Sequence, residues 1–128
     1  MKLLLDTHAF IWWDENPDKL GAASRQACSD PNNELVLSTA SVWEIQLKRM
    51  VGKLTLSKML RQLIEDQANQ NGMEISPVQI EHILRLDSLA FHHRDPFDRI
   101  LIAQAQIEGW TIVTHDGAFK LYAVPVLW

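Results

Sequence analysis

Cysteine is almost absent: Cys28 is the only one in 128 residues. No internal disulfide can form, and the expected compartment is the reducing cytoplasm. No long uncharged apolar run is present, so no membrane-spanning helix is expected. The opening stretch MKLLLDTHAF meets an aspartate at position 6. That is too early for the apolar centre of a signal peptide, so none is expected. A basic excess is missing as well. The net charge of −4 gives no bulk attraction to nucleic acid, and such binding would need a local basic patch. The Cys/His pattern of a structural zinc site is absent. No repeat, low-complexity tract or linker divides the chain, which therefore reads as a single domain over residues 1–128.

The residues present are those of an ordinary globular protein, 47% hydrophobic and 22% charged. Lys2-Leu3-Leu4-Leu5 and Leu35-Val36-Leu37-Ser38 are short apolar runs, read as strands buried on both faces. Thr111-Ile112-Val113-Thr114 is β-branched throughout and reads as a third strand. Residues 73–76 and 124–127 are candidates for two more. Helices are expected over residues 7–13, 20–29, 42–50, 57–70 and 77–86, and from Pro96 to Glu108. Asp30-Pro31-Asn32-Asn33, Gly52 and Gly109 supply stops. Short apolar strands alternating with helices predict an α/β domain with a mostly parallel sheet covered on both sides. Right-handed crossovers place the strands' carboxyl ends at one edge, where ligands of such sheets bind.

Four acids fall at that edge. Asp6 comes directly after the first strand and Asp116 after the strand 111–114, while Glu44 and Asp98 lie one turn into helices. Each has a helix-capping or turn-capping explanation when taken singly. Asp6 can cap a helix beginning at Thr7, and Asp116 can cap a turn of helix over Gly117-Ala118-Phe119. Ser41-Val42-Trp43-Glu44 matches a capping box, and Asp95 before Pro96 is a good N-cap with Asp98 in the favoured first turn. Capping does not require several helices to aim acids at a common point, however. Clustered carboxylates disfavour one another's ionisation, and a cation among the oxygens relieves this. An all-oxygen set suits Mg²⁺ or Mn²⁺.

Four stretches, LLLDTHAFIWW, STASVWEIQLK, HRDPFDRILIAQA and TIVTHDGAF, resemble the PIN-domain ribonucleases, in particular the VapC-like toxins of bacterial toxin–antitoxin pairs. The likeness runs over nearly the whole chain. It implies a three-layer α/β/α sandwich and a Mg²⁺- or Mn²⁺-dependent ribonuclease leaving 5′-phosphate and 3′-hydroxyl ends. It also implies a small antitoxin protein as partner, and a homodimer. Residue by residue it assigns the catalytic metal site to Asp6, Glu44, Asp98 and Asp116. Asp95 is left as a cap and outer-layer group. Thr7 and Thr114 have hydroxyls suited to ordering water around the ion, though threonines at strand ends also serve as plain turn formers. Which RNA is cut does not follow from the resemblance.

Lys48, Arg49, Arg94 and Arg99 are candidates for RNA phosphate contacts, since phosphate contacts supply most non-specific affinity. For the run from Lys48 to Arg61 a solvated helical face is an equal reading. His8, His92, His93 and His115 lie beside the acids in sequence. An imidazole there can bind phosphate or move a proton, and an exposed polar residue at a helix start is the simpler role. Trp12, Trp13 and Trp43, with Leu56, Met59, Leu60 and Leu63, are expected to divide between the core and a groove for a partner helix. Other enzymes fit less well. A haloacid-dehalogenase-like phosphatase needs an acid two residues after Asp6, where His8 stands, and a receiver domain needs a lysine after a late strand. A non-catalytic RNA- or protein-binding module with a relict acidic site is the alternative from a different class.

Overall fold

A computed structural model describes residues 1–128. Five strands form one sheet in the order β3-β2-β1-β4-β5, every pair parallel. They are β1 (Lys2–Leu5), β2 (Glu34–Ser38), β3 (Glu74–Ser76), β4 (Thr111–Val113) and β5 (Val126–Leu127). The helices are α1 (Thr7–Glu15), α2 (Ala22–Ser29), α3 (Thr39–Met50), α4 (Leu60–Asn71), α5 (Ile80–Arg85) and α6 (Pro96–Glu108). No helix is long and apolar enough to cross a membrane.

Alternation along the strands builds two cores. Leu3 and Leu5 face one side with Phe10 of α1, Ile45 of α3 and Leu63 of α4. Leu4 faces the other with Leu101 and Ile102 of α6. Register sets Leu4 between Val36 of β2 and Ile112 of β4, so the second face is a continuous apolar row. Leu3, Leu4 and Leu5 are fully buried, and each contributes about 1.5–3 kcal/mol of hydrophobic stabilisation. The result is the three-layer α/β/α sandwich with a parallel sheet.

From β1 the chain winds outward through β2 to β3, then returns to lay β4 on the other flank of β1. Strand order therefore reverses between β1 and β4. In open α/β sheets the crevice at such a reversal, outside the carboxyl ends, is the usual ligand site.

Four helix starts differ from expectation: α2 begins at Ala22 and not at 20, α5 at Ile80 and not at 77, and α3 and α4 also shift. β2 runs directly into α3, so Ser38 is the N-cap, its Oγ accepting from Ala40 N at 3.0 Å. Ser41 falls inside the first turn and its buried Oγ has no partner, so the expected capping box does not form. Glu44 is thereby free for another task. α4 starts at Leu60, not at 57. Ser57 is held outside it because its backbone N and its Oγ both donate to Glu15 Oε1 at 2.8 Å.

Candidate active site

Asp6 leaves the end of β1 and caps α1, its Oδ1 accepting from Ala9 N at 2.8 Å. Its Oδ2 accepts from Thr114 Oγ1 at 2.6 Å. The same Thr114 oxygen accepts from Asp116 N at 3.0 Å. One threonine thus ties the end of β1 to the turn after β4. Glu44 is buried on α3, with Thr7 Oγ1 donating to Oε1 at 2.5 Å and Lys48 Nζ bound to Oε2 at 2.7 Å. Asp98 lies in the first turn of α6, half-buried, with His93 Nε2 at 3.1 Å from Oδ2. Asp116 is exposed and caps a short turn of 3₁₀ helix, its Oδ1 accepting from Ala118 N at 2.9 Å.

The four carboxylates feel one another. Asp98 is pushed up to about 8, first by burial and then by the negative charges of Asp95, Asp6, Asp116 and Glu44. Asp6 is also raised. Burial is the main cause, Glu44 adds to it, and the hydrogen bonds from Thr114 and Ala9 oppose it. In this conformation no three Asp, Glu, His or Cys side chains converge closely enough to hold one ion. Fit to a cation therefore rests on donor chemistry: four hard oxygen donors whose mutual repulsion adds to burial in raising Asp98. A divalent cation removes that repulsion, and an all-oxygen set is what Mg²⁺ or Mn²⁺ prefers.

Asp95 does what its sequence position suggests. Its Oδ1 accepts from Phe97 N at 2.9 Å and Asp98 N at 3.0 Å, with Pro96 opening the helix. A cleft of about 510 Å³ opens at the acids and is lined by Asp6, His8, Trp12, His115, Asp116 and Gly117. A pocket of about 500 Å³ beside Trp43, Val78, Ile83 and Phe97 offers no ionisable group for chemistry.

The basic candidates separate. Arg49 and Arg94 are exposed. Lys48 is instead engaged with Glu44 inside the site. Arg99 is corrected: it is buried, donating to the carbonyls of Ala90 at 2.7 Å and Leu89 at 3.2 Å, so it holds the loop before α6 rather than reaching phosphate. The expected single aromatic groove also divides. Leu63 is core. Met59 and Leu60 line one surface hollow with Val42 and Ile64, while the exposed Trp43 packs edge-on against Phe97 elsewhere. Trp12 meets the ring of Trp128 at 5.7 Å. The residue least visible in the sequence is Tyr122, the partner of His93. Tyr122 lies 24 positions beyond Asp98, and only the fold brings its hydroxyl to 2.8 Å from His93 Nδ1.

Comparison with known proteins agrees with this architecture. Ribonuclease VapC22 of Mycobacterium tuberculosis is 28% identical over 127 residues, covering 96% of this chain and 93% of that protein. The crystal structure of VapBC2 from Rickettsia felis, bound to a DNA fragment from its promoter, contains a chain that superposes with a TM-score of 0.74 at 16% identity. The match covers 100% of this chain and 99% of that one. A chain of VapBC-1 from nontypeable Haemophilus influenzae superposes with a TM-score of 0.68 at 19% identity, covering 99% and 97%. At such identities these structures establish the shared fold. The PIN domain profile matches residues 3–125, almost the whole chain, and the chain belongs to the PIN domain family.

Proposed function

We propose that the protein is a Mg²⁺- or Mn²⁺-dependent endoribonuclease, the toxin of a toxin–antitoxin pair, working in the cytoplasm. The observation that carries this reading is the gathering of Asp6, Glu44, Asp98 and Asp116 near the strand-order reversal, where burial first, and then the charges of Asp95, Asp6, Asp116 and Glu44, push Asp98 up to about 8. The family membership and the name of the Mycobacterium tuberculosis relative support the substrate class. The VapBC pairs among the fold relatives support an antitoxin partner.

The four acids would hold the cation, which when bound supplies Lewis acidity at the phosphate and activates a water. Thr114 fixes the free oxygen of Asp6, and Thr7 fixes Glu44, so both carboxylates are oriented before RNA arrives. Water adds at phosphorus, the bond from phosphorus to the 3′ oxygen breaks, and that oxygen takes up a proton. The ends are a 5′-phosphate and a 3′-hydroxyl. His8, Trp12 and His115 give the cleft ring faces against which a base can stack, and Arg94 and Arg49 stand exposed for the strand's phosphates. The hollow of Val42, Met59, Leu60 and Ile64, edged by Arg49 and Arg61, suits an amphipathic segment of the antitoxin. The exposed Trp43, Ile83 and Leu84 offer area for a homodimer contact.

A second reading has two observations in its favour: no three acids converge, and Lys48 already neutralises Glu44. That describes a relict site in a binding module. Cleavage of total and synthetic RNA with Mg²⁺, Mn²⁺ or EDTA, beside Asp6→Asn and Asp98→Asn, separates the two. Metal-dependent cleavage abolished in both variants supports the nuclease. Intact RNA under every metal, with folded inhibitor-free protein, supports the relict module.

A further inference from the structure

The loop before α6 places His93 between Asp98 and the chain's one tyrosine, Tyr122. Three groups approach the Tyr122 hydroxyl: Arg99 Nη1 at 3.1 Å, the backbone N of His93 at 3.2 Å and His93 Nδ1 at 2.8 Å. The guanidinium and the amide can only donate. They occupy the acceptor capacity of the phenol oxygen, so its own proton points to His93 Nδ1. A ring nitrogen that accepts carries no proton. The ring proton of neutral His93 is therefore on Nε2, which faces Asp98 Oδ2 at 3.1 Å.

Each link is held from outside. Arg99 is buried, fastened to the carbonyls of Ala90 and Leu89, and stacked on Phe91 with its guanidinium carbon 4.0 Å from the ring centre. Tyr122 is buried and packs its ring at 62° to that of His93, with centroids 5.4 Å apart. The side chain of His93 is 19% exposed and that of Asp98 18%, so little water competes for the bond between them.

We propose that His93 is a positioning residue for Asp98: Arg99 and Tyr122 fix its tautomer, and its Nε2–H fixes the carboxylate oxygen Oδ2. Oδ1 of Asp98 is thereby left as the oxygen turned to the cation. The inference rests on the proposed metal-dependent reading, since a carboxylate with no ion to hold needs no such orientation. Hydrogen-bonded outer groups of this kind typically change metal affinity about 10–100-fold when removed.

Two measurements test it together. Long-range ¹H–¹⁵N correlation of the imidazoles reads the tautomer directly, without metal. His93 in the wild type is expected as the Nε2–H form, and Tyr122→Phe is expected to mix the tautomers. Calorimetric Mn²⁺ titration of wild type, His93→Gln and His93→Leu reads the consequence. Leu is expected to weaken Mn²⁺ binding about 10-fold or more, whereas Gln, whose amide restores a donor, stays within about 3-fold of wild type. An Nδ1–H tautomer in the wild type overturns the inference. So does equal Mn²⁺ affinity in wild type and His93→Leu, with the metal-site reading left intact. Absence of saturable Mn²⁺ binding in the wild type overturns both. Circular dichroism of each variant separates a folding failure from a lost contact, and Tyr122→Phe keeps the tautomer test open should His93→Leu unfold.

Discussion

Asp98 carries the largest electrostatic burden of the site, since its folded value of about 8 stands far above the ordinary 3.8. The folded chain without metal therefore binds a proton that the unfolded chain has released between these two values. By linkage, stability from this group is full below 3.8, falls as pH rises, and levels off above about 8. Asp98→Asn removes the ionisation. In EDTA the variant is expected to be more stable than wild type, by on the order of 2 kcal/mol near the upper limit, with no advantage on the acid side. Thermal unfolding across the range checks this. Adding Mn²⁺ should reverse the order, because the ion stabilises only the chain that binds it. Thr114 matters at the same scale: Thr114→Val keeps the shape but removes the donor to Asp6 and the acceptor for Asp116 N. We expect Thr114→Val to lower cleavage at least about 10-fold, with a smaller change in RNA affinity measured on uncleavable RNA.

At the scale of elements, the caps that start helices also deliver the acids. Asp95 is the plainest case, holding the N-terminus of α6 through two backbone bonds while its charge adds to the load on Asp98. Asp95→Asn keeps the cap and removes the charge, so stability in EDTA should hold or rise. Asp95→Ala loses the cap and should cost about 1 kcal/mol in urea unfolding, partly offset by the relieved repulsion. The opposite flank depends on close approach. A Cβ on Gly21 would meet the backbone carbon of Trp128 at 2.6 Å, so Gly21→Ala must push away the chain end beyond β5. A loss of about 1–3 kcal/mol is expected, measured by urea unfolding. Apolar runs and stop signals made the strands and most helices legible in the sequence, because burial on both faces leaves no polar alternation to confuse them. Ser38 was hidden as a cap since nothing local shows that β2 enters α3 without a loop. The start of α4 was hidden because Glu15, 42 positions earlier, holds Ser57. Asp6, Glu44, Asp98 and Asp116 were legible as candidates through position and family likeness. The bonds of His93 to Tyr122 and of Lys48 to Glu44, and the burial of Arg99, come from folding, which no spacing displays.

For the whole molecule, the order β3-β2-β1-β4-β5 does the assembling. Asp6 and Asp116 arrive at the ends of adjacent strands and line the cleft, while Glu44 and Asp98 come on helices of the two flanking layers. Cys28 takes no part: it is buried, and burial pushes its thiol up to about 11, so it stays an inert core group. Everything proposed for the chemistry depends on these acids forming one cation site. Calorimetric Mn²⁺ titration of the purified, partner-free protein decides that point, with Asp6→Asn and Asp98→Asn measured in parallel and folding checked for each. Saturable binding is expected in wild type, with proton release as Asp98 ionises, and binding lost or strongly weakened in both variants. Equal binding in all three proteins, or none in the wild type, would contradict a shared cation site.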